Sequence, residues 1–118
     1  MVLLKNMKIA VSSTGKNLES RVTDVFGRCS YFLIVEIDNK KIKGVEVIEN
    51  TSIDQTVGAG ISAAKIIAKK GVNAIITGAV GPRALGVLKQ FNIQVYNGFG
   101  PIKEAVQKFI DGELKQPR

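Results

Sequence analysis

Asn73-Ala74-Ile75-Ile76-Thr77-Gly78-Ala79-Val80-Gly81-Pro82 is the stretch whose reading decides the fold. Its first half is apolar on both faces, the pattern of a strand buried on both sides of a parallel sheet. Glycines then break the run. Pro82 suits the first turn of a helix, where its missing N–H would have no partner anyway. That helix is expected to reach about Gln90, with Leu85 and Leu88 turned inward. A strand that runs straight into a helix needs a parallel neighbour reached by a right-handed crossover. Ile93-Gln94-Val95-Tyr96 supplies it.

The same junction recurs on both sides. Downstream, Asn97-Gly98-Phe99-Gly100-Pro101 leads into a helix with Ile102, Ala105, Val106, Phe109 and Ile110 on one face, closed by Asp111-Gly112. Upstream, Gly58-Ala59-Gly60 opens a helix over 61–70 whose polar residues Ser62, Lys65 and Lys69 share one stripe. Lys69, Lys70 and Gly71 fit its C-terminus, with cations at the negative dipole end and glycine as the stop.

The first half of the chain reads as strands. Met7-Lys8-Ile9-Ala10-Val11-Ser12 has the two-sided apolar character of a central strand, and Tyr31-Phe32-Leu33-Ile34-Val35-Glu36-Ile37 is the strongest strand signal in the chain. Asp38-Asn39-Lys40-Lys41 has turn chemistry, and 42–49 alternates as the exposed arm of a hairpin. That arm is expected at the sheet edge, which leaves a homodimer through it open. Residues 18–26 read as loop with at most a helical turn before a bend at Gly27. The order is strand-strand-strand-helix-strand-helix-strand-helix. It predicts an α/β fold with a five-stranded mixed sheet and helices on its faces.

The 118 residues fit a single domain over 1–118, with 1–6 as an N-terminal extension and 115–118 as a frayed tail. No apolar run is long enough to span a bilayer, so no membrane partner is expected. One cysteine cannot form an internal disulfide, and a cytoplasmic location is the expectation. The net charge of +7 is scattered rather than gathered into a basic tract with aromatics, which disfavours nucleic acid. Histidine is absent, which removes Ser-His-Asp and Cys-His machinery. There is no G-x-G-x-x-G after a strand, no Walker-type loop, no C-x-x-C and no carboxylate on the first strand. Hydrolytic or redox catalysis finds little support, and a non-enzymatic binding protein is the leading expectation.

Ligands of such sheets sit at the carboxyl ends of the parallel strands. Four loops are expected there: 12–17, 58–60, 78–82 and 97–101. Three of them set glycine beside a helix N-terminus, whose free N–H groups favour an anion. The bend Val25-Phe26-Gly27-Arg28-Cys29 adds a guanidinium and the lone thiol. The expected binding residues are therefore Ser12, Phe26, Gly27, Arg28, Gly58, Gly60, Gly81 and Gly98. Lys16 would add charge, and Cys29 would be the candidate metal ligand.

Taken together, the M-K-I-A-V-S strand, F-G-R before Y-F-x-I-V, V-I-E-N, G-A-G-I-x-A-A, the G-P junction and the A-V-x-x-F-x-x-G-E-L ending resemble one family. It is the dinitrogenase iron-molybdenum cofactor biosynthesis family, with NifX-like and NafY-like proteins and the C-terminal domain of NifB-like proteins. The match runs from Met7 to Leu114. The resemblance implies a three-layer ribonuclease-H-like fold and a carrier of iron-molybdenum cofactor or its iron-sulfur precursor, working with cluster-assembly proteins. It places Phe26, Gly27 and Arg28 at the F-G-R positions, Gly58, Gly60 and Ile61 at G-A-G-I, and Gly81 and Pro82 at G-P. Members commonly carry histidine before F-G-R and often another before G-A-G. This chain has Val25 and Gln55-Thr56-Val57 there, and Cys29 where many have alanine. The alternatives are a nucleic-acid-binding module on the same scaffold and a binding or regulatory protein for small anionic metabolites.

Overall fold

The computed structural model describes residues 6–55 and 57–116. The elements in order are β1 (Met7–Ser13), a 3-10 turn (Phe26–Arg28), β2 (Tyr31–Asp38), β3 (Lys41–Glu49), α1 (Ala59–Ala68), β4 (Ala74–Thr77), α2 (Pro82–Gln90), β5 (Gln94–Asn97) and α3 (Ile102–Ile110). The proposed extension falls almost wholly outside the described residues.

The strands form one mixed sheet in the order β3-β2-β1-β4-β5. β1 pairs antiparallel with β2 and parallel with β4, whose own neighbour β5 is again parallel. The hairpin between β2 and β3 turns on Asn39 and Lys40, both at positive φ (56° and 66°). Two left-handed residues in a two-residue loop match the twist of the flanking strands.

The two sides of the sheet are covered by different helices. Ala10, Phe32, Ile34, Ile75 and Val95 face Ala63, Ala64 and Ile67 of α1 and Ala84 and Leu88 of α2. Val11, Leu33, Val35 and Ile76 face Ile102, Val106 and Phe109 of α3. Burial of a large aliphatic side chain is worth about 1.5–3 kcal/mol, so these two layers fix which way each helix turns. Ile9, Val11, Leu33, Ile75 and Ile76 are all fully buried. β3 is the outer arm, with Val45 and Val47 exposed.

Residues 18–25 form a loop that leads into the 3-10 turn, as expected, and isolated backbone bonds tie it to the sheet: Thr23 N–H donates to the Ser12 carbonyl at 3.0 Å, and Phe26 N–H to the Ala79 carbonyl at 2.9 Å. In return Ala79 N–H donates to Asp24 O at 2.7 Å and Gly78 N–H to Thr23 O at 3.0 Å. This segment bridges the ends of β1 and β4 and is not itself a strand. One expectation is corrected: the end of the chain is not frayed at Lys115 and Gln116. Asn97 N–H donates to the Lys115 carbonyl at 2.8 Å, and Gln116 Nε2 to Gln94 Oε1 at 2.6 Å.

Candidate functional site

Glycine lets three backbone segments meet at one place. A Cβ on Gly27 would lie 2.9 Å from both N and Cα of Gly60, and one on Gly60 would lie 3.1 Å from the Ala84 Cβ. The 3-10 turn, the start of α1 and the start of α2 are thereby drawn together. Between them lies an open cleft of about 460 Å³ lined by Val25, Phe26, Gly27 and Arg28, by 58–61 and by 81–84. That volume is in the range of small-molecule and cofactor sites.

Among the described residues the lining contains no carboxylate, and its two charged residues are Arg28 and Arg83. Both helices point their N-termini into it. In α1 the first intrahelical bond among the described residues runs from Ser62 N–H to the Gly58 carbonyl, so the N–H groups of Ala59, Gly60 and Ile61 have no backbone acceptor among the described residues. In α2 it runs from Leu85 N–H to Gly81, which leaves Arg83 and Ala84 in the same position. Neither helix has a side-chain cap or an acid in its first turn. The dipoles and both guanidinium groups thus act with one sign.

α3 is built differently. Its Ile102 N–H donates to the Ser20 carbonyl at 2.8 Å and its Lys103 N–H to Leu18 at 2.9 Å, and Glu104 sits in its first turn. The protein itself fills that N-terminus. The 12–17 and 97–101 loops accordingly belong to the α3 side of the sheet, not to the cleft.

Arg28 is tied to the lip. Its Nη1 donates to the carbonyls of Ile53 at 2.9 Å and Gln55 at 2.8 Å. The Gln55 side chain is held in turn by the Ser62 hydroxyl of α1, which donates to its Oε1 at 2.9 Å. Cys29, next in the chain, points the other way and is fully buried. Asn50 Nδ2 approaches its Sγ at 3.7 Å. Loss of solvent pushes the thiol up to about 12, against smaller opposing hydrogen bonds from the Ser13 backbone and Asn50. A thiol held protonated is a poor ligand.

Of the expected binding residues, Phe26, Gly27, Arg28, Gly58, Gly60 and Gly81 line this cleft. Ser12 does not: it is buried, and its hydroxyl donates to Thr77 Oγ1 at 2.7 Å. Gly98 does not either, since it is a packing glycine where a Cβ would meet Ile76 Cγ2 at 2.5 Å. Cys29 lies outside the lining, which removes the structural basis for expecting it as a metal ligand. Lys16 sits over the Tyr31 ring, 5.4 Å from its centroid, rather than in the cleft. Among the described residues no three His, Cys, Asp or Glu side chains are grouped to hold a metal ion. Arg83 is the charged cleft residue that the sequence pattern leaves unmarked. Its one signal is its place directly after Pro82, in the first turn of a helix expected to face a ligand.

The profile of the family described as "Dinitrogenase iron-molybdenum cofactor" matches residues 7–112. The uncharacterized protein MJ0580 of Methanocaldococcus jannaschii is 42% identical over 114 residues, 96% of this chain and 93% of that protein. Among solved structures, the apo form of the orange protein from Desulfovibrio gigas superposes with a TM-score of 0.85 at 33% identity, covering 96% of this chain and 95% of that one. A Thermotoga protein proposed to be NifB gives 0.78 at 35% identity, covering 93% and 92%.

Proposed function

The chain belongs to the dinitrogenase iron-molybdenum cofactor family, and from that membership we propose that it is a non-enzymatic carrier of a preassembled anionic metallocluster. Iron-molybdenum cofactor or an iron-sulfur precursor is the cargo class, and cluster-assembly proteins are the donors and acceptors. The strand order β3-β2-β1-β4-β5 supports the ribonuclease-H-like reading of the scaffold.

The observation that carries the proposal is the donor set of the cleft. Backbone N–H groups and guanidinium donors face it, and among the described residues no thiolate, imidazole or carboxylate does. Such a set fits an anion whose metals already have their ligands, because N–H donors bind sulfide or oxide atoms on a cluster surface. It does not fit bare iron or molybdenum ions, which call for thiolate, imidazole or carboxylate ligands. Arg28 and Arg83 neutralise charge, the two helix starts orient the cargo, and Phe26 and Ile61 supply apolar wall.

The test is anaerobic. The protein is mixed either with a preformed [4Fe–4S] thiolate dianion or with free ferrous iron and sulfide, then desalted, and iron and sulfide are measured in the protein fraction. The proposal expects retention of the preformed cluster only, weakening as salt rises. Retention from free ions alone, or from neither supply, overturns it.

A further inference from the structure

Resting on the carrier reading above, we infer that Asn50 is a positioning residue of the cleft, acting on the cargo through Arg28. Asn50 follows β3 directly and is 1% exposed. Its Nδ2 donates to the Cys29 carbonyl at 2.9 Å and more weakly to the Gly27 carbonyl at 3.4 Å. These are the carbonyls on either side of Arg28 in the chain. Its Oδ1 accepts the Ser52 N–H at 3.0 Å, and its own N–H donates to the Ser30 carbonyl at 3.0 Å.

The bonding is reciprocal. Asn50 starts the 50–55 loop and holds the backbone around Arg28, while Arg28 Nη1 holds the carbonyls of Ile53 and Gln55 in that same loop. With Nη1 committed to the loop, Nε and Nη2 have no hydrogen-bond partner among the described residues and can be offered to an anion. Its direction is set before the cargo arrives, so less rotamer freedom is lost on binding. The site also explains the residue type. Two carbonyls require a donor and one N–H requires an acceptor on the same short planar group, which asparagine provides and aspartate does not. Asn50→Asp would set a carboxylate oxygen against two carbonyl oxygens.

The experiment is a double-mutant cycle read by the affinity for tetrathiomolybdate, a diamagnetic metal–sulfur dianion with strong visible absorption. Wild type, Asn50→Ala, Arg28→Ala and the double variant are titrated after circular dichroism confirms folding. Asn50→Ala is expected to weaken binding about fivefold to tenfold in wild type, the scale of one net hydrogen bond, and to cost nothing further in the Arg28→Ala background. Equal losses in both backgrounds, or none in either, overturn the role of Asn50 while leaving the carrier reading standing. Wild type that fails to bind overturns both. Should Asn50→Ala not fold, hydrogen exchange of the Ser52 N–H in wild type decides. It is expected to slow when the dianion binds, and unchanged exchange counts against the inference.

Discussion

Gly27 and Gly60 meet backbone to backbone: a Cβ on Gly27 would stand 2.9 Å from the Gly60 nitrogen. The 3-10 turn rests on the first turn of α1 with no side chain between them, and that contact brings Arg28 to the N-termini of two helices. Gly27→Ala should therefore cost about 1–3 kcal/mol, the usual range for forcing atoms into a packed contact. Gly81 lines the same cleft, with nothing within 4 Å of where its Cβ would stand and an ordinary extended backbone (φ −66°, ψ 157°). Gly81→Ala should leave the melting temperature unchanged, so thermal unfolding of the two variants side by side checks the contact.

The two arginines should separate. Arg28 is bonded to the loop and in the proposed carrier would also hold the cargo, whereas Arg83, among the described residues, has no tie to the 50–55 loop. Arg83→Ala is expected to weaken tetrathiomolybdate binding about tenfold, as for a charge-assisted hydrogen bond, with the melting temperature unmoved. Arg28→Ala should lower both. Titration and melting of the two proteins decide, and an equal stability loss in each would contradict the assignment.

Much of this is legible in the chain, and the failures share a physical cause. Five strands and three helices follow from apolar runs and from glycine-containing junctions, two of them followed by proline, because local periodicity reports burial. The cleft glycines are legible for the same reason, as residues beside helix starts. The pairing of Thr23 and Phe26 with the end of β4 is not, since two or three isolated backbone bonds leave no periodic trace in side chains. Capping of α3 by the carbonyls of Leu18 and Ser20 is invisible too, although it decides which helix starts are free. Cys29 misleads because one residue of rotation separates the cleft from the core. Arg28 faces out at a position adjacent to a fully buried thiol.

That burial has a pH signature. The Cys29 thiol is raised from 9.0 to about 12 in the fold, so the native state keeps its proton where the unfolded chain has lost it. The associated stability is fully present below pH 9 and is lost as pH rises from 9 toward 12. Urea unfolding of wild type and Cys29→Ala at pH 7 and pH 10.5 isolates the effect. The advantage of wild type over Cys29→Ala should shrink at the higher pH, and a constant difference would contradict the burial argument. The same thiol should resist iodoacetamide in the native protein at pH 8.

The central claim is that an anion is held by the starts of α1 and α2 and not by that of α3. Amide chemical shifts of nitrogen-15-labelled protein titrated with tetrathiomolybdate test it most directly. The account predicts saturable shifts at Ala59, Gly60, Ile61, Arg83 and Ala84, with Ile102 and Lys103 still. Shifts centred on Ile102 and Lys103, or none at the α1 and α2 starts, would contradict it.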